Sequence, residues 1–181
     1  MKLFLFISFY FVFMFSASSQ EVRYQTLKAQ LKISAVKNGG HYQWENKNIT
    51  VMLNYKTGEF ILRLKNTDFT NTSGETQTVA TDETKETEYI FKGTFPINDI
   101  VKQENITRQY PVELQLTCDD PQIDQTLNFQ MEVTRPGSGS GNYRIFTLQG
   151  IMYNDEVQIP AFKGFDNEIN LLIMFNALAS Y

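Results

Sequence analysis

Apolar residues recur at every second position in eight or nine separate stretches of this chain, and no long helical period interrupts them. Leu27, Ala29, Leu31, Ile33 and Ala35 alternate with Thr26, Lys28, Gln30, Lys32 and Ser34. Such a segment is a strand with one dry face and one wet face. Val112, Leu114, Leu116 and Cys118 repeat the pattern, as do Leu127, Phe129, Met131 and Val133. Antiparallel strands that each hide one face must close on themselves or pack on a second sheet. The pattern predicts an all-β, antiparallel β-barrel of eight to nine strands in one domain.

Turn chemistry divides the strands. A first strand is expected from Val22 to Ala35, and Asn38-Gly39-Gly40 supplies positive-φ residues for a turn into Tyr42 and Trp44. Ile49, Val51, Leu53 and Tyr55 run into Lys56-Thr57-Gly58, from which Phe60, Leu62 and Leu64 return on one face. Asn66 to Glu88 is so rich in Thr, Asn, Ser, Asp and Glu that burial cannot offset its ordering entropy, and it is expected to be a long surface loop. Tyr89 to Phe95 resumes the sheet until Pro96, which cannot donate to a ladder. Asn98 or Asp99 is placed to cap one short helix through Lys102, with Gln103 to Gln109 as its frayed end. Tyr110–Thr117, Ile123–Thr134, Tyr143–Met152 and Glu168–Leu178 read as the remaining strands. Asp119-Asp120-Pro121 and Pro136 to Gly141 separate the first three of these.

The chain's start carries a different signal. Lys2 precedes an apolar run from Leu3 to Phe15, broken only by Ser8, and then Ser16, Ala17, Ser18 and Ser19 follow. This is the layout of a cleavable export signal over residues 1–19, with cleavage expected before Gln20 and a periplasmic or secreted product. The run is shorter than the roughly 20 residues that carry a helix across a bilayer. Without Lys2, 15 basic residues face 20 acidic ones, a formal charge of −5. That charge repels phosphate backbones, so nucleic acid is not an expected partner. The remaining 20–181 form a single β-barrel domain. Its one cysteine, Cys118, shares the parity of Val112, Leu114 and Leu116, which makes it a buried, small hydrophobe.

Polar chemistry is sparse. His41 is the only histidine, so a histidine triad must use it and a multi-histidine metal site is impossible. Beside Gly39 and Gly40 it reads as a solvated turn residue. Asp119, Asp120 and Asp124 resemble a calcium cluster, but Pro121 interrupts the loop and no distal glutamate completes it. The Gly-Ser-Gly-Ser-Gly run lacks the Lys-Ser/Thr of a phosphate loop. Asn48, Asn71 and Asn105 head glycan-acceptor triplets. No catalytic residue, metal or cofactor is expected, and the chain does not read as an enzyme.

What remains is the interior. A barrel of about eight strands is just wide enough to be filled by side chains or to hold one small ligand. Each buried CH₂ of an alkyl or isoprenoid chain contributes about 0.8 kcal/mol, so affinity needs no charged anchor. The candidate apolar lining is Leu31, Ile33, Val51, Leu53, Leu62, Phe91, Leu114, Phe129, Met131 and Phe175. The same residues packed against one another make a filled core, and periodicity does not separate the two. The alternatives are a structural or protein-interaction module of the cell envelope that displays the Asn66 to Glu88 loop, and a small outer-membrane barrel. The latter is suggested by Leu171, Ile173, Phe175, Ala177, Ala179 and Tyr181, which alternate to a terminal aromatic. Against it, the hairpin arms near Gly58 are about seven residues long, where spanning strands need about 9–11.

Asn54-Tyr55-Lys56-Thr57-Gly58-Glu59-Phe60, Tyr89-Ile90-Phe91-Lys92-Gly93, Leu116-Thr117, and Ile159-Pro160 before the strand Glu168 to Ala177 together resemble the YceI-like family in order and spacing. The resemblance spans most of the mature chain through short motifs. It implies an exported, lipocalin-like antiparallel barrel, some members of which hold long isoprenoid or acyl chains. It also marks two departures. The family's Arg-Asp and Phe-rich segment falls where this chain has Asn66 to Glu88, and Cys118-Asp119-Asp120 replaces the family's Gly and His.

Overall fold

A computed structural model describes residues 23–25, 28–73, 85–102, 107–136 and 143–178. The expected export signal and the turn at 137–142 lie outside these residues, as does Asn105. Eleven strands form one antiparallel sheet: β1 (Arg23–Gln25), β2 (Ala29–Lys37), β3 (Gly40–Asn46), β4 (Thr50–Asn54), β5 (Glu59–Lys65), β6 (Thr70–Asn71), β7 (Glu88–Thr94), β8 (Thr107–Cys118), β9 (Ile123–Thr134), β10 (Tyr143–Tyr153) and β11 (Glu168–Leu178). Among the described residues two short α-helices, α1 (Ile97–Val101) and α2 (Asn154–Val157), accompany it. The sheet order is β1-β4-β5-β7-β8-β9-β10-β11-β2-β3-β6, and its curl is that of a lipocalin- or YceI-like barrel.

Alternation explains the register. In β8, Tyr110, Val112, Leu114, Leu116 and Cys118 are buried and the residues between them are turned outward. In β9, Leu127, Phe129, Met131 and Val133 are buried in the same way, and the pairs Leu114↔Leu127 and Val112↔Phe129 meet across the ladder. A slip of one residue would turn all of these to water, so burial of one face fixes the pairing. On β10 the inward position between Leu148 and Met152 is Gly150, where a Cβ would stand 2.7 Å from the Phe129 ring. The missing side chain is what admits that ring.

The seam of the barrel is polar. Asn46, fully buried at the end of β3, donates from Nδ2 to the Lys65 carbonyl at 3.2 Å and accepts from the Asn48 N–H at 2.8 Å. It ties β3 to the end of β5, which are not neighbours in the ladder. Buried polar groups persist where they are bonded in this way.

The structure corrects several expectations. The eight-to-nine-strand antiparallel barrel stands, with nine strands of five or more residues among the described residues, and the short β1 and β6 are additions to it. The first expected strand is two, because β1 pairs with β4 while β2 pairs with β11 and β3. The segment from Asn66 is not loop throughout: Asn66–Asp68 form a 3₁₀ turn, Thr70 and Asn71 pair with β3, and Thr87 is buried. Two-residue pairings carry no period for a sequence pattern to reveal. Helix α1 is preceded by Pro96, whose carbonyl accepts from the Asp99 and Ile100 N–H groups, so Asn98 and Asp99 lie inside the helix rather than at its cap. Thr107, Arg108 and Gln109 begin β8 instead of ending that helix. Helix α2, a second one, was not anticipated.

Candidate functional site

The interior divides into two ends. At one, four phenylalanines converge: Phe60 at the start of β5, Phe95 just after β7, Phe146 on β10 and Phe175 on β11. Their centroids are 4.5 Å apart for Phe60 and Phe95, 4.6 Å for Phe146 and Phe175, and 5.5 Å for Phe60 and Phe175, all stacked. This end is solid.

At the other end lies an apolar cavity of about 70 Å³. Leu31 and Ile33 of β2, Trp44 of β3 and Leu64 of β5 form one part of its wall. Tyr89 and Phe91 of β7, Leu116 of β8, Met152 of β10 and Leu171 of β11 form another, with Asn66 and Phe69 at the turn into β6. Ile159, Ala161 and Phe162 cover it, all from the connection between β10 and β11.

That cover is held at its stem. Asn154 Nδ2 donates to the Phe162 carbonyl at 2.9 Å and the Phe165 carbonyl at 3.4 Å, while Asn167 Oδ1 accepts from the Asp155 N–H at 2.9 Å. The Asp166 N–H reaches the Val36 carbonyl at 2.8 Å, and Lys37 Nζ stands 5.0 Å over the Phe165 ring. Phe162 and Phe165 meet Trp44 edge-on at 5.8 and 5.6 Å, and Tyr42 stacks along it at 6.1 Å. The cover is therefore an aromatic cluster seated on β3.

Of the ten residues expected to line a lumen, Leu31, Ile33 and Phe91 face this cavity. Val51, Leu53, Leu62, Leu114, Phe129, Met131 and Phe175 are buried, yet outside its wall. Leu62 lies opposite Phe91 and Val51 opposite Leu62, Phe129 meets Phe91 edge-on at 6.4 Å, and Phe175 belongs to the phenylalanine stack. Leu53 pairs with Phe60, Leu114 with Leu127, and Met131 with Leu148. Sequence reasoning missed Trp44 and the cover. Inward parity with Tyr42 on a strand leaving a glycine turn was a usable signal for the first, whereas Ile159 to Phe162 has no period at all.

Most charge stays outside; Arg144 on β10 is buried, and its Nη1 donates to the Tyr143 carbonyl at 3.1 Å. Lys47 Nζ is 2.8 Å from Glu45, and this bond holds the Glu45 carboxyl below its ordinary range. Lys65 pairs with Glu86 at 2.7 Å and Arg63 with Glu88 at 3.0 Å. His41 is exposed on β3, opposite Val36. Asp119 and Asp120 are exposed, Asp120 pairs with Lys85, and Asp124 accepts from Gln115 at 2.7 Å. Among the described residues no three His, Cys, Asp or Glu side chains gather as metal ligands. Of the glycan-acceptor asparagines, Asn48 Nδ2 donates to Asp68 at 2.9 Å and Asn71 Oδ1 accepts from the Ser73 N–H.

No family model and no curated protein matches the chain. Solved structures do. A polyisoprenoid binding domain from Saccharophagus degradans, implicated in plant cell wall breakdown, superposes with a TM-score of 0.62 at 9% identity, over 87% of this chain and 98% of that one. Burkholderia cenocepacia BcnA superposes with a TM-score of 0.53 at 9% identity, over 82% of this chain and 96% of that one. The fold is that of the YceI-like barrels. The resemblance read from short motifs thus holds at the level of the backbone, across most of the chain.

Proposed function

We propose that this protein binds an apolar small molecule, of alkyl or isoprenoid type, non-covalently at the cavity end of the barrel, and that it does so in the periplasm or outside the cell. The observation that carries the reading is a cavity walled by Leu31, Ile33, Trp44, Phe91 and Leu171 and covered by a segment that is not part of the sheet. One of the solved barrels of like fold is a polyisoprenoid binding domain. A binding role rather than catalysis agrees with a wall that offers no nucleophile or acid-base pair. The cavity of about 70 Å³ is well below the roughly 300–1,000 Å³ of a small-molecule pocket, so the cover must lift to admit a chain. The phenylalanine stack limits how deep that chain reaches.

Native mass spectrometry of protein purified from its own host, followed by organic extraction, tests this. A reproducible apolar mass that leaves with solvent is the expected result. An empty protein that also takes up no added chain would favour the second reading, a structural or interaction module with a filled core, for which the phenylalanine stack already argues. The outer-membrane alternative has less support, because Ile169, Leu171, Ile173, Phe175 and Ala177 of β11 are buried inside while its outward face mixes Glu168, Asn170 and Asn176 with Leu172, Met174 and Leu178 rather than forming an apolar band. N-terminal sequencing of the extracytoplasmic fraction should begin at or next to Gln20.

A further inference from the structure

We infer that the molecule held in the cavity carries an uncharged oxygen acceptor, a carbonyl, ester, ether or hydroxyl, that takes a hydrogen bond from Trp44 Nε1. This rests on the apolar-binding reading and specifies the chemistry of its ligand. Trp44 lines the cavity, is 2% exposed, and its Nε1 is buried with no hydrogen-bond partner. An indole N–H can only donate, and a buried donor without an acceptor is a standing cost to the fold. The neighbouring Phe162 and Phe165 rings offer at most a weak π acceptor.

Besides Trp44, the polar groups in the wall are those of Tyr89 and Asn66, and Asn66 is already engaged. Asn66 Nδ2 donates to the Lys85 carbonyl at 3.0 Å, and its Oδ1 accepts from the Thr87 N–H at 2.8 Å. Water is a poor remedy for Trp44, since a buried water needs two to four polar partners and apolar cavities stay dry. No charged side chain lines the space, so an ionised carboxylate or phosphate would enter uncompensated. A neutral acceptor on an apolar chain satisfies both constraints.

Trp44 is the only tryptophan, so the ¹⁵N-labelled full-length chain gives one indole resonance that reports on this donor. Methyl decanoate, decane and decanoate are matched probes. The ester should move the indole N–H resonance downfield, slow its exchange with solvent and bind about fivefold to tenfold tighter than decane, the worth of one hydrogen bond. Decanoate should bind more weakly than its ester. Trp44→Phe should bring the ester down to the level of decane and leave decane within about twofold. If ester and decane bind alike and the indole resonance does not respond, or if decanoate binds tightest, this inference falls while apolar binding stands. If no probe binds, the apolar-binding reading falls and takes the acceptor with it. The resonance test on the unmodified chain decides the matter even where the variant fails to fold.

Discussion

The two ends of this barrel are built from the same alternation and come out differently. At the filled end the inward positions carry Phe60, Phe146 and Phe175, and Phe95 reaches in just beyond its strand, so the rings stack and exclude everything else. At the cavity end the inward positions mix Leu31, Ile33, Leu64, Leu116 and Leu171 with Trp44, Tyr89 and Phe91, and space remains between them. That space is covered by a connection rather than by barrel side chains. A period of two decides which residues face inward, and how those side chains fit against one another decides whether the interior is core or container.

The filled end should therefore carry the stability. Phe175→Ala removes a ring stacked on Phe60 and Phe146 and is expected to cost about 3–5 kcal/mol by urea denaturation. Phe162→Ala, on the cover, should cost clearly less and enlarge the cavity. Equal costs would mean that the cover is as much core as the stack is. At the seam, Asn46→Ala leaves the Lys65 carbonyl and the Asn48 N–H without their partner, for a loss of about 2–3 kcal/mol. A loss within error would show that β3 and β5 are held by other contacts.

Asn154→Ala is aimed at the cover alone. It removes the donor to the Phe162 and Phe165 carbonyls, which lie near the surface, so a stability loss of about 1 kcal/mol is expected. The larger response should be kinetic: hydrogen exchange at residues 162–165 quickens and a bound apolar probe leaves sooner. Unchanged exchange would sharpen the comparison in the other direction, by assigning the hold on the cover to its aromatic contacts with Tyr42 and Trp44.

How much of this was legible follows from the same physics. Ile123–Thr134 and Glu168–Leu178 could be read to the residue because long one-sided strands repeat their period many times. The short pairings of β1 and β6 and the turns around α2 could not, since each is fixed by partners far away in sequence rather than by a local pattern. Parity named Leu31, Ile33 and Phe91, which border the cavity, and equally Phe175, which stacks on Phe60 and Phe146, so parity does not separate the two positions. Trp44 was visible as an inward residue, while its unmet N–H needed coordinates.

The smallest effect sets the two ends against each other through one polar side chain at each, Tyr110 and Trp44. Tyr110 is the inward residue near the start of β8, and its hydroxyl, like Trp44 Nε1 across the barrel, is buried without a hydrogen-bond partner. Burial raises its pKa above the ordinary 10.0; the Arg108 guanidinium, over its ring at 5.3 Å, partly offsets this through its charge and a weak polar contact, and Asp99 adds to the rise. A folded-state pKa above the unfolded value means that the unfolded chain gives up the proton first. The associated stability is present below about pH 10 and is lost as pH rises through the folded pKa. Tyr110→Phe should flatten that alkaline decline and, by removing a buried hydroxyl without a well-formed hydrogen bond, leave stability at pH 7 unchanged or about 0.5–1 kcal/mol higher. A clear destabilisation at pH 7 would instead mean that the hydroxyl is bonded in solution, and that the filled end holds a polar contact which the cavity end lacks.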